Sequence, residues 1–70
     1  MNAEELGRTV RSRRKELRID RKTLAELAGV AIHTVVNLET AKANPTLQVL
    51  SRVLNALGLE LTVKPRTTER

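Results

Sequence analysis

The apolar residues of this chain repeat at two spacings. Over most of its length they recur every three to four residues, the period of a helix with one buried face. Leu6, Val10 and Leu17 share one face of a first predicted helix, from about Ala3 to about Leu17. Glu4 and Glu5 sit in its first turn, where the helix dipole favours acidic groups. Asp20 is a good N-cap for a second helix, Arg21 to Ala28, with Leu24, Leu27 and Ala28 on its apolar side. Gly29 stops that helix, as glycine does just past a helix end. A third helix follows from about Ile32 to Glu39, with Val35 and Leu38 on one side and Val30 beside them. Asn44-Pro45 reads as a cap followed by proline at the first helical position. The fourth helix then runs to Leu57, with Leu47, Leu50, Val53, Leu54 and Leu57 on a broad apolar face, and Gly58 ends it.

At Leu59 the period changes to two. Leu59, Leu61 and Val63 alternate with Glu60, Thr62 and Lys64, which predicts a short strand. Every other segment reads as helix, so this strand has no partner within the chain. An unpaired strand exposes open backbone groups and apolar side chains. The simplest remedy is the same strand from a second copy, paired about a two-fold axis. The alternative is a frayed tail whose leucines cap the bundle. Pro65 ends the strand, and RTTER has the composition of a disordered end. The expected fold class is therefore all-α: a compact bundle of four to five short helices with one C-terminal β-strand that pairs across a homodimer. The expected organisation is a helical domain over 1–58, a dimerisation strand over 59–64 and a flexible tail over 65–70.

Composition narrows the chemistry. Seventy residues without cysteine or aromatic side chains leave the core to eleven leucines, seven valines, Ile19, Ile32 and alanines. A domain of this size buries only a modest core, and a second subunit often supplies the rest. One histidine, no cysteine and no carboxylate cluster exclude a catalytic centre or metal site and call for no cofactor. No apolar run approaches the roughly 20 residues of a membrane span, and the acidic N-terminus lacks a signal-peptide core. These features point to the cytoplasm. The net charge is +5, and eight of the thirteen basic residues fall between Arg8 and Lys22. That clustering suits a polyanion partner; a solvated helix face is the bland alternative.

The layout of Thr23 to Glu39, a short helix, a Gly-centred turn and a second short helix, is that of a helix-turn-helix. In that motif the second helix enters the DNA major groove. In such a pair small residues are expected where the backbones approach, here Ala25 and Gly29.

Residues 6 to 58 resemble the phage-repressor-like helix-turn-helix family, the class of the lambdoid repressors and Cro. The residues that carry the resemblance are Arg14, Leu24-Ala25, Gly29-Val30, Leu38-Glu39, Pro45 and Leu57-Gly58. The resemblance implies binding to double-stranded DNA, with Ile32, His33, Val36 and Asn37 facing base edges and Thr34 near the backbone. Asn37 has the groups to bind adenine N6 and N7 bidentately. His33 can donate to guanine or phosphate. Ile32 and Val36 cannot hydrogen-bond and would meet thymine methyls, or would be core residues if the helix were rotated. Arg21, Lys22, Thr40 and Lys42 are the implied phosphate contacts, aided by the helix N-terminus. The family's structural salt bridge would fall on Arg14 and Glu39, although periodicity alone places Arg13 nearer the centre of the apolar face. Three positions depart from the pattern: Arg18 and Ala41 replace common glycines, and Ala31 replaces the usual Ser or Thr cap.

The final third, NPTLQVLSRVLNALGLELTVKP, is similar to HipB-type antitoxins. That resemblance implies a homodimeric, nucleoid-associated repressor of its own operon, acting on a palindromic operator through strands that hold Leu59, Leu61 and Val63. It also implies a HipA-like serine/threonine kinase toxin as a partner. A stand-alone regulator with no toxin partner is the other reading.

Overall fold

The structure is a computed structural model and describes residues 1–65. Four helices follow in order: α1 (Ala3–Glu16), α2 (Arg21–Ala28), α3 (Ile32–Glu39) and α4 (Leu47–Ala56). Among the described residues there is no strand. The predicted bounds of α2 and α3 match the structure. Leu17 and Leu57 fall one residue beyond their helices and close them as C-caps.

Each helix starts for a local reason, α3 excepted. Asn2 and Glu5 form a reciprocal capping box on α1: Asn2 Oδ1 accepts from the Glu5 N–H at 2.8 Å, and Glu5 Oε1 accepts from the Asn2 N–H at 3.1 Å. Asp20 Oδ1 accepts from the Thr23 N–H at 2.7 Å. That hydrogen bond, the first of several to the ionised form, holds its carboxyl below the ordinary range. The start of α4 corrects the sequence reading. Its N-cap is Thr46, whose Oγ1 accepts from the Val49 N–H at 3.1 Å, rather than Asn44. Thr46 is also a favoured capping residue and immediately precedes the helix, which leaves Asn44 and Pro45 in the α3–α4 loop.

The helix ends share one solution. After α1, α3 and α4 the chain turns through a residue with positive φ: Arg18 (58°), Ala41 (59°) and Gly58 (73°). Gly29 (72°) does the same at the close of α2. Each turn returns a later N–H to a carbonyl of the last helical turn: Ile19 to Arg14, Val30 to Ala25, Lys42 to Asn37 and Leu59 to Leu54. Ile19, Val30 and Leu59 then pack against the core, the apolar contact that accompanies this closure. Leu59 is thereby used by its own α4, so its half-burial belongs to the helix end. A strand needs a neighbouring strand, and none is formed among the described residues for Glu60–Lys64 to pair with.

Nine apolar side chains form the buried core: Val10, Leu24, Ala25, Ala28, Val35, Leu38, Val53, Leu54 and Leu57. Each fully buried Leu or Val contributes about 1.5–3 kcal/mol of transfer free energy. Three predicted apolar-face residues are exposed outside this core: Leu47, in the first turn of α4, at 67%, Leu27 at 63% and Leu17 at 39%.

α1 and α3 approach closely at Gly7. A Cβ on Gly7 would stand 2.7 Å from the carbonyl oxygens of both Leu38 and Glu39. Those carbonyls belong to the last turn of α3 and cannot move without unwinding it. Gly29 is different: nothing lies within 4 Å of where its Cβ would be. The expectation that Gly29 marks a close approach is corrected; its requirement is the positive φ alone. At an open helical site Gly→Ala stabilises by about 1 kcal/mol. Gly7→Ala will instead destabilise by about 1–3 kcal/mol or more, as overpacking does, and urea denaturation of the two proteins will show the reversed sign.

Candidate nucleic-acid interface

The turn at Gly29 sets α3 across α2, and α1 packs against the C-terminal end of α3. At about 3.6 residues per turn, burial of Val35 and Leu38 leaves the opposite side of α3 outward. His33 and Asn37 lie one turn apart at the centre of that side, with Val36 and Thr40 beside them. His33 and Thr40 are exposed, while Val36 and Asn37 are half-buried. Ile32 lies at one edge and is 48% exposed. Thr34 lies at the other edge and is half-buried. Val35 and Leu38 thus hold the core side, and neither Ile32 nor Val36 is a core residue.

His33, Thr34 and Asn37 also line a cleft of about 220 Å³ against Ala43, Asn44, Pro45 and Val49. Asn44 enters this surface because Thr46, not Asn44, caps α4.

The last residue of α3 anchors the helix. Glu39 has no exposed side-chain surface, and two arginines meet its carboxylate. Arg14 donates from Nε to Oε2 at 2.7 Å and from Nη2 to Oε1 at 3.2 Å. Arg21 donates from Nε to Oε1 at 3.0 Å. Arg14 is itself buried, and its Nη1 donates to the Ile19 carbonyl at 2.9 Å. One planar guanidinium therefore joins α1, the α1–α2 loop and α3, a task suited to its fork of donors. Burial by itself would raise the Glu39 carboxyl pKa. The hydrogen bonds and charges of Arg14 and Arg21 outweigh it and hold the group below the ordinary glutamate range. The same hydrogen bond holds Arg14 more firmly protonated.

Arg13 has a separate role. Its Nε donates to the Leu57 carbonyl at 2.9 Å and its Nη1 to Glu16 at 3.2 Å, tying α1 to the end of α4. Neither this contact nor the Gly7 approach was identified from sequence. The signal for Gly7 was an isolated glycine inside a helical pattern, which commonly has a packing cause.

The remaining site residues flank α3. Arg21 Nε is engaged with Glu39, while its two terminal nitrogens have no partner among the described residues. Lys22 and Lys42 are exposed. Thr40 Oγ donates to the Val36 carbonyl at 2.8 Å, so a phosphate would compete with the helix for that proton. Ala31 has the extended backbone of an N-cap but no side chain to fill the role. Its neighbouring N–H groups at the start of α3 remain open to an outside acceptor.

A family model described as helix-turn-helix matches residues 10–64 of the chain. A protein of Methanothermobacter thermautotrophicus named as an uncharacterized HTH-type transcriptional regulator is 39% identical over 51 residues, covering 73% of this chain and 74% of the relative.

The Glu39 cluster makes stability depend on acid in a defined direction. A carboxyl with a depressed folded pKa contributes fully above the unfolded value, about 4.3, and loses its contribution as pH falls through the folded value. Glu39→Gln leaves two arginines facing a neutral amide and will cost about 3–5 kcal/mol at pH 7. The difference in urea midpoint between Glu39→Gln and wild type will narrow as the pH falls below 4. A gap that stays constant to pH 2 would show that Glu39 does not carry this dependence.

Proposed function

Because the chain belongs to the helix-turn-helix family, we infer that it is a sequence-specific, DNA-binding transcriptional regulator that acts as a homodimer on a two-fold operator. The observation that carries this reading is the seating of α3. A buried carboxylate and a glycine contact fix its last turn while His33, Val36 and Asn37 face outward. A helix held so rigidly by its buried side can present its other side to a groove without losing register.

The roles follow from chemistry. Asn37 reads adenine through N6 and N7, and His33 donates to guanine or to a phosphate. Ile32 and Val36 contact thymine methyls. Thr34 lies near the backbone, and Arg21, Lys22, Thr40 and Lys42 hold phosphates and set the register. Asn44, in the same cleft as Thr34 and Asn37, is a further donor on this surface.

Dimerisation runs through residues 59–64. Leu59 is tied to α4, but Leu61 is 43% and Val63 92% exposed, and both alternate with polar residues, as on one side of a strand. A second copy of the segment, paired antiparallel, would cover them. By the same resemblance the dimer is a HipB-type antitoxin, cytoplasmic and nucleoid-associated, that represses its own operon and binds a HipA-like serine/threonine kinase toxin. Co-purification with the product of a neighbouring kinase-like gene supports that role; a stand-alone regulator binds no such product.

Gel shifts on the promoter of its own operon will show tighter binding than on random duplex of equal length, and equal affinity for both would end the reading. Asn37→Ala will reduce discrimination at one base pair per half-site by about 1–3 kcal/mol. Leu61→Lys will convert the dimer to monomer in sedimentation and weaken operator binding together. An unchanged mass would exclude pairing through this segment.

A further inference from the structure

The densest positive charge of the molecule lies outside the reading surface. Arg8, Arg11 and Lys15 recur on one exposed side of α1, and Arg18 follows at the helix end. None of the four forms an ion pair among the described residues; the pairs there belong to Met1, Arg13, Arg14 and Arg21. Arg8, Arg11, Ser12 and Lys15 line a shallow trough of about 320 Å³. Glu4 opens the same face one turn earlier and bounds it.

Two ordinary explanations fall short. Cations in a last helical turn complement the helix dipole. That accounts for Lys15, but Arg8 and Arg11 lie too far from the C-terminus. A solvated surface charge accounts for an exposed arginine but not for its backbone. Arg18 holds φ at 58°, in the left-handed region that glycine adopts without strain. The chain accepts that strain and keeps a cation at the end of the stripe.

The position of the stripe indicates its partner. Gly7 and Arg14 turn toward the C-terminal end of α3, where they meet the Leu38 and Glu39 carbonyls and the Glu39 carboxylate. Arg11 follows next around the helix from that line, so the stripe borders the end of the reading helix and runs outward from it, with Arg18 in the turn just past the helix. The seven residue steps from Arg8 to Lys15, at about 1.5 Å each, span about 10 Å, room for roughly three phosphates of one strand at about 3.4 Å along the axis. The chain has no aromatic side chain, so it lacks the platforms on which single-stranded bases stack. A trough of cations and one hydroxyl offers nothing to an apolar peptide side chain. We propose that Arg8, Arg11, Lys15 and Arg18 form a second DNA contact, gripping the phosphate backbone of the operator duplex beyond the base pairs that α3 reads. This rests on the DNA-binding reading above and extends the footprint of each protomer without adding sequence preference.

The test compares two duplexes, one trimmed to the operator's recognised base pairs and one extended by a helical turn on each side, across a salt series. The full-length protein is compared with Arg8→Ala/Arg11→Ala/Lys15→Ala, whose substitutions are exposed and favour helix. On the long duplex the triple variant will lower the slope of log K against log salt by about 2.7, at about 0.9 per phosphate. Its disadvantage there will shrink about 40-fold between about 50 and 200 mM salt. On the trimmed duplex the two proteins will bind alike. Arg18→Gly will lower the slope by about 0.9 while raising Tm, a split that a merely structural Arg18 would not give. Equal slopes for wild type and triple variant on the long duplex overturn the proposal and leave a solvated face or an acidic protein partner. An equal loss on both duplexes also overturns it. If wild type prefers no operator over random duplex, the DNA-reading function itself fails, an outcome distinct from either.

Discussion

The Glu39 carboxylate is the constraint on which the other features depend. It closes α3, an eight-residue helix whose N-cap has no side-chain oxygen. Helices that short are marginal by themselves, and tertiary contact supplies their stability. The contact here is ionic as well as apolar. With no exposed surface, the carboxylate is safe only while donors fill both oxygens, and Arg14 and Arg21 supply three hydrogen bonds. Since Arg14 also holds the Ile19 carbonyl, the α1–α2 loop, the start of α2 and the end of α3 are referenced to one charge. Gly7 completes the joint by letting α1 lie directly on the α3 carbonyls. The outward side of α3 is therefore oriented from behind, by contacts no DNA base would touch.

Much of this fold was legible because helix period, caps and stops all agreed. Leu24, Leu27 and Ala28 with Asp20 before and Gly29 after leave little freedom for α2, and its bounds are as read. Where two signals competed, the local reading failed. Asn44-Pro45 and Thr46 each make a plausible helix start, and the choice depends on how the loop packs. The alternation of Leu59, Leu61 and Val63 mixes two causes. Leu59 is the apolar residue that follows a left-handed helix end, while Leu61 and Val63 are exposed among the described residues.

The site was legible in type more than in geometry. Which side of α3 faces outward followed from Val35 and Leu38. That Arg14 rather than Arg13 meets Glu39 did not follow from periodicity, because both flank the buried face. The structure gives them different targets, Glu39 for one and the Leu57 carbonyl for the other. Contacts between a helix and a distant backbone, such as Gly7 on Leu38 and Glu39, leave no periodic trace at all. The glycines replaced by Arg18 and Ala41 prove to be the positions where φ is positive. The backbone there keeps its shape at the expense of strain, so the departures change side chains and charge without changing the path of the chain.

That observation bears on how affinity and discrimination are divided. Arg21, at the head of α2, already shares its charge with Glu39, and Thr40 already shares its hydroxyl with the α3 backbone. Both are well placed beside a reading helix, yet both are partly spent on holding it. On the proposed reading, Ile32 and Val36 would add contact but no hydrogen bonds, and base discrimination would fall on His33, Asn37, thymine methyls and the shape of the duplex. A surface of this kind positions the protein better than it attracts it. Attraction at distance scales with unpaired cations, and those are concentrated on α1 and at Lys22 and Lys42. On the proposed reading the two tasks are thus separated in space: ion pairs fix α3, while unpaired charge beside it would draw the DNA backbone in.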